Sequence, residues 1–451
     1  MFRSINPATG DQIATYPELT ADEVEARIVR AAERFAMWRF TPVTDRTALL
    51  DRIATEFDAR TEPMARMASV EMGKTLVSAR AELKKCAAAF RYYAQNGEKL
   101  LTPQPIAGTN GEVHLLALGP ILAVMPWNFP YWQVIRFVAP TILAGNVALL
   151  KHASIVQGVA GMIEETIIAA GAPDGLFQNL AIKSDQVGAL IADDRIAAVT
   201  LTGSEGAGRS VAEAAGKALK KVVLELGGSD PFIVMPSADI GQAAKVAVTA
   251  RIQNSGQSCV CAKRMIVHAK IYDAFAEKFV AGMLAANAGD PMDAASDMGP
   301  LSSFEQKDKV LGQLEEAKAS GAKLVGGEAL PGKGAYIGGG VLTGVPIDSA
   351  LAHEEIFGPI AMLFKVADID EAILVANAIP FGLGSSVWTN DKVEENRFIT
   401  GIEAGMTAVN QMLASMPEAP FGGIKRSGYG RELGPWGLHE FMNTKTVLRP
   451  S

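Results

Sequence analysis

ILAVMPWNFPYWQVIRFVAPTILAGNVALLKH, residues 121–152, decides the fold. It opens with a short apolar run, ILAVM, of strand length. A turn rich in proline and aromatics follows, PWNFPY. YWQVIRFVAPTILAG has the length of a helix and ends near Gly145. NVALLKH is then a second strand. Apolar runs of four to eight residues read as buried strands, and apolar segments beyond ten as helices. Strand, helix and strand in this order make a βαβ unit.

The alternation continues downstream. VQGVAGMIEETIIAAGAP is a helix with Gly171 as its C-terminal stop. LFQNLAI and IAAVTLTG are strands with the helix SDQVGALIAD between them, and SVAEAAGKALK and KVVLELGG extend the pattern. A second alternating region starts near Asp230, with PFIVM, IGQAAKVAVTARIQ, RMIVHAK and IYDAFAEKFVAGMLAAN. Helices between apolar strands predict parallel, doubly wound sheets. The Gly-rich segment 326–340 reads as a surface hairpin. Upstream, the first hundred residues read as helices. TADE at Thr20–Glu23 is a capping box, an amphipathic run follows to Trp38, and a second helical region spans Arg46–Asn96. With no internal repeat and no low-complexity linker, the domains are expected to pack intimately.

Bulk properties narrow the function classes. At 451 residues the chain has room for two or three domains. A net charge of −7 gives no footprint for nucleic acid, and no polybasic stretch would hold the chain to a membrane. Leu115–Ile135 carries no charge, but Gly119, Pro120, Pro126 and Pro130 interrupt it. A lipid-exposed helix could not satisfy the backbone groups those breaks would free. The N-terminus lacks the apolar region of a signal peptide. Three cysteines in so long a chain form no disulfide framework, so a cytoplasmic location is expected. No metal site is expected either, because the five histidines lie scattered without ligand spacing.

Four stretches carry residues of chemical interest. NSGQSCVCAKR, 254–264, presents Cys259 after a Gly-containing approach. Read alone, Cys259 is a nucleophile or a small packed side chain. In VLELGGSDP, Glu225 ends an apolar run, at the strand end where open α/β sheets place their sites; a solvated Glu is the plainer reading. LTGSEGAGRS, 201–210, runs strand, glycine turn, helix start, which suits a phosphate or a simple tight turn. In MPWNFPYW, Asn128 is an oxyanion donor or a turn residue.

PWNFP, LTGS, LELGGSDP, GQSC, EEIFGP (354–359) and PFGGIKRSGYGRELG (420–434) together resemble the aldehyde dehydrogenase superfamily, in its order and spacing, and succinate-semialdehyde dehydrogenases most. The resemblance runs from about residue 5 to the end. It implies two doubly wound Rossmann-like domains and a small β oligomerisation element. The NAD(P)-binding domain would comprise 1–100 and 120–227, the catalytic domain 228–425, and the oligomerisation element 101–119 with 435–451, in a homodimer or homotetramer. Cys259 matches the nucleophile that attacks an aldehyde, Asn128 the oxyanion donor, and Glu225 the general base for thioester hydrolysis. Trp127, Lys151, Gly203, Ser204, Glu355 and Phe357 match cofactor-binding positions. Ser154 stands where NAD-preferring relatives have a glutamate, which implies NADP as the preferred cofactor over NAD.

Arg136 matches an arginine that binds the substrate carboxylate in some succinate-semialdehyde dehydrogenases. The second arginine of some such enzymes is replaced by Gln253, and their C-terminal serine contact is one residue out of register at Ser415. Succinate semialdehyde is therefore the first-choice substrate, with other aldehydes as the alternative. A CoA-acylating relative is disfavoured by the presence of Glu225, and an inactive nucleotide-binding scaffold by Cys259, Glu225 and Asn128 together. Cys261 reads as a small buried residue. The resemblance adds a second role, as a redox partner for Cys259.

Overall fold

The βαβ unit of 121–152 sits at the centre of a six-stranded sheet. A computed structural model describes residues 1–450. Its first sheet contains β1 (Pro120–Met125), β2 (Val147–His152), β3 (Phe177–Asn179), β4 (Ala198–Thr202) and β5 (Lys221–Glu225). They lie in the order β5-β4-β1-β2-β3, all parallel. Every residue of β2 and β4 is buried, and all but one of β1. That explains their unbroken apolar runs, since strands covered on both faces do not alternate. Strand order reverses at β1, whose neighbours are β2 and β4. The carboxyl ends beside that reversal are where open α/β sheets bind ligands.

The second sheet follows. Its strands are β6 (Pro231–Val234), β7 (Arg264–His268), β8 (Lys323–Gly326), β9 (Gly340–Thr343), β10 (Ile360–Val366), β11 (Gly384–Trp388) and β12 (Met406–Val409). The order is β8-β9-β10-β7-β6-β11-β12, parallel except for the antiparallel β8–β9 edge. Phe232, Val234, Met265 and Val267 pack on one face, and Ile233, Ile266 and Val387 on the other. This is the period-two alternation of a strand. After β12 the chain returns to the first sheet, where β13 (Gly428–Tyr429) pairs antiparallel with β5. Met442–Val447 pairs antiparallel with Glu112–Ala117, which also pairs with Gln104–Pro105, in a separate three-stranded sheet.

The N-terminal hundred residues are not wholly helical. Phe2–Ile5 and Gln12–Tyr16 form a hairpin ahead of the first helix. The capping box is present: Thr20 Oγ1 accepts from Glu23 N (3.3 Å), and Glu23 Oε2 accepts from Thr20 N (2.7 Å). It opens α1 (Ala21–Trp38). The region read as one stretch over Arg46–Asn96 is three helices: α2 (Val43–Ala59), α3 (Thr61–Met72) and α4 (Leu76–Leu100). Gly73, with φ +79°, ends α3. The remaining helices of the first sheet are α5 (Trp132–Leu143), α6 (Gln157–Ala169), α7 (Val187–Ala192) and α8 (Glu205–Lys217). The segment that imitates a membrane span is strand, turn, strand, turn and helix start. Among the described residues no helix is long and apolar enough to cross a membrane.

Candidate active site

The carboxyl ends of β1, β4 and β5 face the second sheet across a cleft of about 680 Å³. Trp127, Asn128, Gly203, Ser204 and Glu225 line it from the first sheet. Cys259, Glu355 and Phe357 line it from the other side. Eight of the residues singled out in the sequence thus meet in one place, although they span 231 positions of the chain.

The loop that presents Cys259 follows α9 (Ile240–Ile252) and is wound against backbone preference. Asn254 (φ 52°), Ser255 (φ 56°) and Gly256 (φ 75°) are successively left-handed. Such conformations persist only where the surroundings over-determine them. Here Asn254 Nδ2 donates to Asn128 O (2.7 Å), Ser255 Oγ to Gly299 O (2.9 Å), and Gln257 Oε1 accepts from Ser302 N (2.9 Å). A Cβ on Gly256 would lie 2.2 Å from Gly358 O, so only glycine fits that approach. The buried Arg251 guanidinium donates to the carbonyls of Ile356 (2.8 Å), Gly358 and Ile360 (2.7 Å), tying the EEIFGP loop to α9.

Asn128 is buried and its amide is oriented from both ends. Nδ2 donates to Gln257 O (3.2 Å), and Oδ1 accepts from Gln133 Nε2 (3.4 Å). One N–H of Nδ2 is left for an oxyanion. Burial pushes the Cys259 thiol up to about 12, against the pull of the Arg136 and Lys263 cations. A neutral thiol needs a base nearby. Glu225 is 1 % exposed, and neither carboxylate oxygen has a hydrogen-bond partner among the described residues. Burial and the neighbouring Glu432 carboxylate hold its pKa well above the ordinary carboxylate range, which makes it a stronger proton acceptor once ionised.

The residues that match cofactor-binding positions divide between two places. Gly203 N donates to Glu225 O (3.0 Å), and Ser204 caps α8 by accepting from Ala207 N (3.4 Å). The N–H groups opening a helix suit a phosphate. Trp127 and Phe357 meet edge to face with centroids 5.7 Å apart. Glu355 Oε1 lies 2.9 Å from Lys263 Nζ. Lys151 and Ser154 sit apart from the cleft, at and just beyond the end of β2. Lys151 Nζ donates to Ser184 Oγ (3.2 Å) and, among the described residues, has no carboxylate partner. Ser154 is exposed at the start of the short turn Ser154–Val156. An ammonium without a carboxylate partner, bonded to the Ser184 hydroxyl, fits an anionic group such as a 2′-phosphate.

Known proteins point the same way. The profile of the aldehyde dehydrogenase family matches residues 1–447. The chain belongs to the aldehyde dehydrogenase family. It is 51 % identical to an NADP(+) succinate-semialdehyde dehydrogenase of Mycolicibacterium paratuberculosis, over 98 % of this chain and 96 % of that one. It is also 51 % identical to a Mycobacterium tuberculosis enzyme of that name, over 98 % of each chain. A crystal structure of succinic semialdehyde dehydrogenase from Streptococcus pyogenes in complex with NADP+ superposes with a TM-score of 0.97. It shares 39 % identity, and the match covers both chains in full.

Besides Lys151 and Ser154, two more singled-out residues of this aldehyde dehydrogenase lie away from the cleft surface, Arg136 and Cys261. Arg136, 1 % exposed, forms a buried ion pair with Glu432, donates through Nη2 to Thr202 Oγ1 (3.0 Å), and stacks 4.6 Å from the Phe421 ring centre. Its guanidinium therefore already holds a carboxylate of the protein. Cys261 is a free, buried thiol that donates to Gln253 O (3.5 Å).

Sequence reading gave no role to Glu432, Lys263 or Gln133. Glu432 stood inside a quoted motif, yet a Glu in a glycine-rich loop reads as solvated; here it is buried behind Glu225. Lys263 donates to the carbonyls of Ser258 (2.8 Å) and Cys259 (2.7 Å) while pairing with Glu355, so it braces the backbone at Cys259. Its place four residues after Cys259 was the available signal.

Proposed function

We propose that this aldehyde dehydrogenase oxidises succinate semialdehyde to succinate, with NADP preferred over NAD. The observation that carries the reading is the meeting of Cys259, Asn128 and Glu225 in one cleft beside cofactor-binding positions. Relatives at 51 % identity named for this substrate and for NADP(+) support it.

Cys259 Sγ attacks the aldehyde carbon, and its proton passes to Glu225 directly or through one water. The oxygen that becomes negative is held by the free N–H of Asn128 Nδ2 and by the backbone N–H of Cys259. Bound NADP supplies the hydride acceptor. Glu225, lacking partners of its own, then takes a proton from the water that hydrolyses the thioester, and the free acid leaves. Lys151, Ser184 and Ser154 receive the 2′-phosphate of the cofactor. Glu355 receives the nicotinamide ribose, and Trp127 and Phe357 wall the ring. Subunits associate as a homo-oligomer through the sheet of Glu112–Ala117 and Met442–Val447.

The test is a panel of aldehydes assayed with NAD and NADP, without CoA. The expected result is the highest kcat/KM for succinate semialdehyde with NADP, with free acid as product. A higher kcat/KM for uncharged aldehydes, or a requirement for CoA, would overturn the reading.

A further inference from the structure

The turn that carries Asn128 is gripped by a buried ion pair from outside the cleft. Glu82, on α4, is buried, and its Oε1 accepts from the backbone N–H groups of Tyr131 (2.9 Å) and Trp132 (2.8 Å). These N–H groups stand at the start of α5, where a helix has no acceptors of its own. The other Glu82 oxygen pairs with the Lys74 ammonium, which is buried as well and lies 3.8 Å from the centre of the Phe129 ring. One Lys–Glu pair thus holds residues 129, 131 and 132, directly after Asn128.

The corner that carries Lys74 also meets the support of the Cys259 loop. A Cβ on Gly299 would lie 1.9 Å from Gly73 O, so the two backbones touch there. Leu76 N donates to Pro291 O (2.7 Å) just beyond. Residues 299–302 are what the Cys259 loop rests on, since Gly299 O accepts from Ser255 Oγ and Ser302 N donates to Gln257 Oε1. The corner therefore reaches the Asn128 turn through its ion pair and the Cys259 loop through its backbone. An oxyanion shared by Asn128 Nδ2 and the N–H of Cys259 needs both donors in register, and they come from opposite sides of the cleft. A buried ion pair adds little stability over a well-packed apolar pair. What it adds here is direction: a carboxylate oxygen fixed on two N–H groups, which an apolar side chain cannot supply.

We propose that Lys74 and Glu82 are positioning residues that set Asn128 against Cys259 in the oxyanion site. Neither is among the residues that line the cleft, and both act through Asn128. The proposal rests on the reading of Asn128 as oxyanion donor and adds what fixes its place.

The experiment measures the single-turnover rate of NADPH formation with the wild type's best aldehyde, NADP affinity by fluorescence titration, and thermal melting. The variants are Lys74→Met/Glu82→Leu, Lys74→Met/Glu82→Gln and Asn128→Ala, with each double variant also made in the Asn128→Ala background. Both double variants remove the two charges together, so no lone charge stays buried. Lys74→Met/Glu82→Leu is expected to lower the rate roughly 10- to 100-fold, the scale of a small misplacement of a reacting group, with NADP affinity kept. Lys74→Met/Glu82→Gln retains an amide oxygen for the two N–H groups and should lose only roughly 3- to 10-fold, the difference between a charged and a neutral acceptor. In the Asn128→Ala background both losses should all but vanish, because the donor being positioned is gone. A wild-type rate in Lys74→Met/Glu82→Leu, the same fold-loss with and without Asn128, or a matching loss of NADP affinity overturns the proposal and leaves the oxyanion reading standing. Should the leucine variant not fold, a wild-type rate in Lys74→Met/Glu82→Gln, or a loss unchanged by Asn128→Ala, overturns it. An Asn128→Ala variant with a wild-type rate refutes the oxyanion reading itself, and the proposal with it.

Discussion

Replacing Ser154 by glutamate should reverse the cofactor preference. Ser154 is the exposed first residue of a short turn, and its side chain caps nothing, so the substitution leaves the fold alone. A carboxylate there would face the group that Lys151 and Ser184 receive. Unit charges about 4 Å apart repel by about 1 kcal/mol in water and about 4 kcal/mol at an effective dielectric of 20. The site is exposed, so the lower value applies per charge. A phosphate monoester carries about −1.5 to −2 near pH 7, which brings the repulsion to about 2 kcal/mol. With tenfold per 1.4 kcal/mol, kcat/KM for NADP should fall roughly 30-fold. NAD has no 2′-phosphate to repel, and its ribose hydroxyl can donate to the new carboxylate, so its kcat/KM should hold or rise. The assay is initial rate against each cofactor at saturating aldehyde, in low and in high salt. Because the repulsion is between exposed charges, added salt should shrink the effect. A ratio of NADP to NAD efficiency within twofold of wild type in Ser154→Glu would refute the placement of the 2′-phosphate beside Ser154.

The other predictions concern the reacting centre. Glu432→Gln removes a charge that raises Glu225 and frees the Arg136 cation, and both changes favour ionised Glu225; the acid limb of kcat should move to lower pH, and a limb that stays put or moves up counts against the coupling. Arg136→Met leaves Glu432 buried without its cation, which should cost about 3–5 kcal/mol and lower the midpoint of urea unfolding; the double variant Arg136→Met/Glu432→Gln should recover most of that loss, and strict additivity of the two single losses would argue against the pair. Gly256→Ala forces a Cβ against Gly358 O and should displace the loop that carries Cys259, lowering kcat by an order of 10²-fold; near-normal kcat would mean the loop is not held as described.

What was legible in the sequence follows from where burial is uniform. β1, β2 and β4 are buried on both faces, so composition alone marks them. The hairpin of Phe2–Ile5 and Gln12–Tyr16 escaped because its strands are short and its second strand has no buried residue. The break at Arg60 was invisible because helical periodicity resumes at once on the other side. The segment 326–340 is a hairpin loop as read, joining β8 to β9, but Ala335 and Ile337 are buried beneath it. In the site, residues in glycine-punctuated motifs could be named by resemblance. The environment of Arg136 could not: one chain shows an arginine on an apolar helix, and nothing local reveals that Glu432, 296 residues later, closes on it. Pairing of buried charges is a property of the fold.

That pairing bears on how the cleft does acid–base work. Around Cys259 the two cations each meet a carboxylate, Arg136 with Glu432 and Lys263 with Glu355. Their charges cancel locally, and neither is free to hold a thiolate by itself. The groups left over are all raised by burial: the Cys259 thiol to about 12, Asp230 to about 7, and Glu225 well above the carboxylate range. Burial thus favours the neutral form of each, and Glu225 acts as a base through its ionised fraction. An anion on Cys259 or Glu225 is favoured by Arg136, and one on Cys259 by Lys263 as well. Glu225 and Glu432 interact strongly and titrate as a set, so the acid limb of the rate reports that pair and not Glu225 by itself. A Glu432→Gln variant should accordingly shift the ionisation of Glu225 itself to lower pH, read as a change in its carboxylate infrared band across pH. An unchanged titration in that variant would show the two groups to be independent.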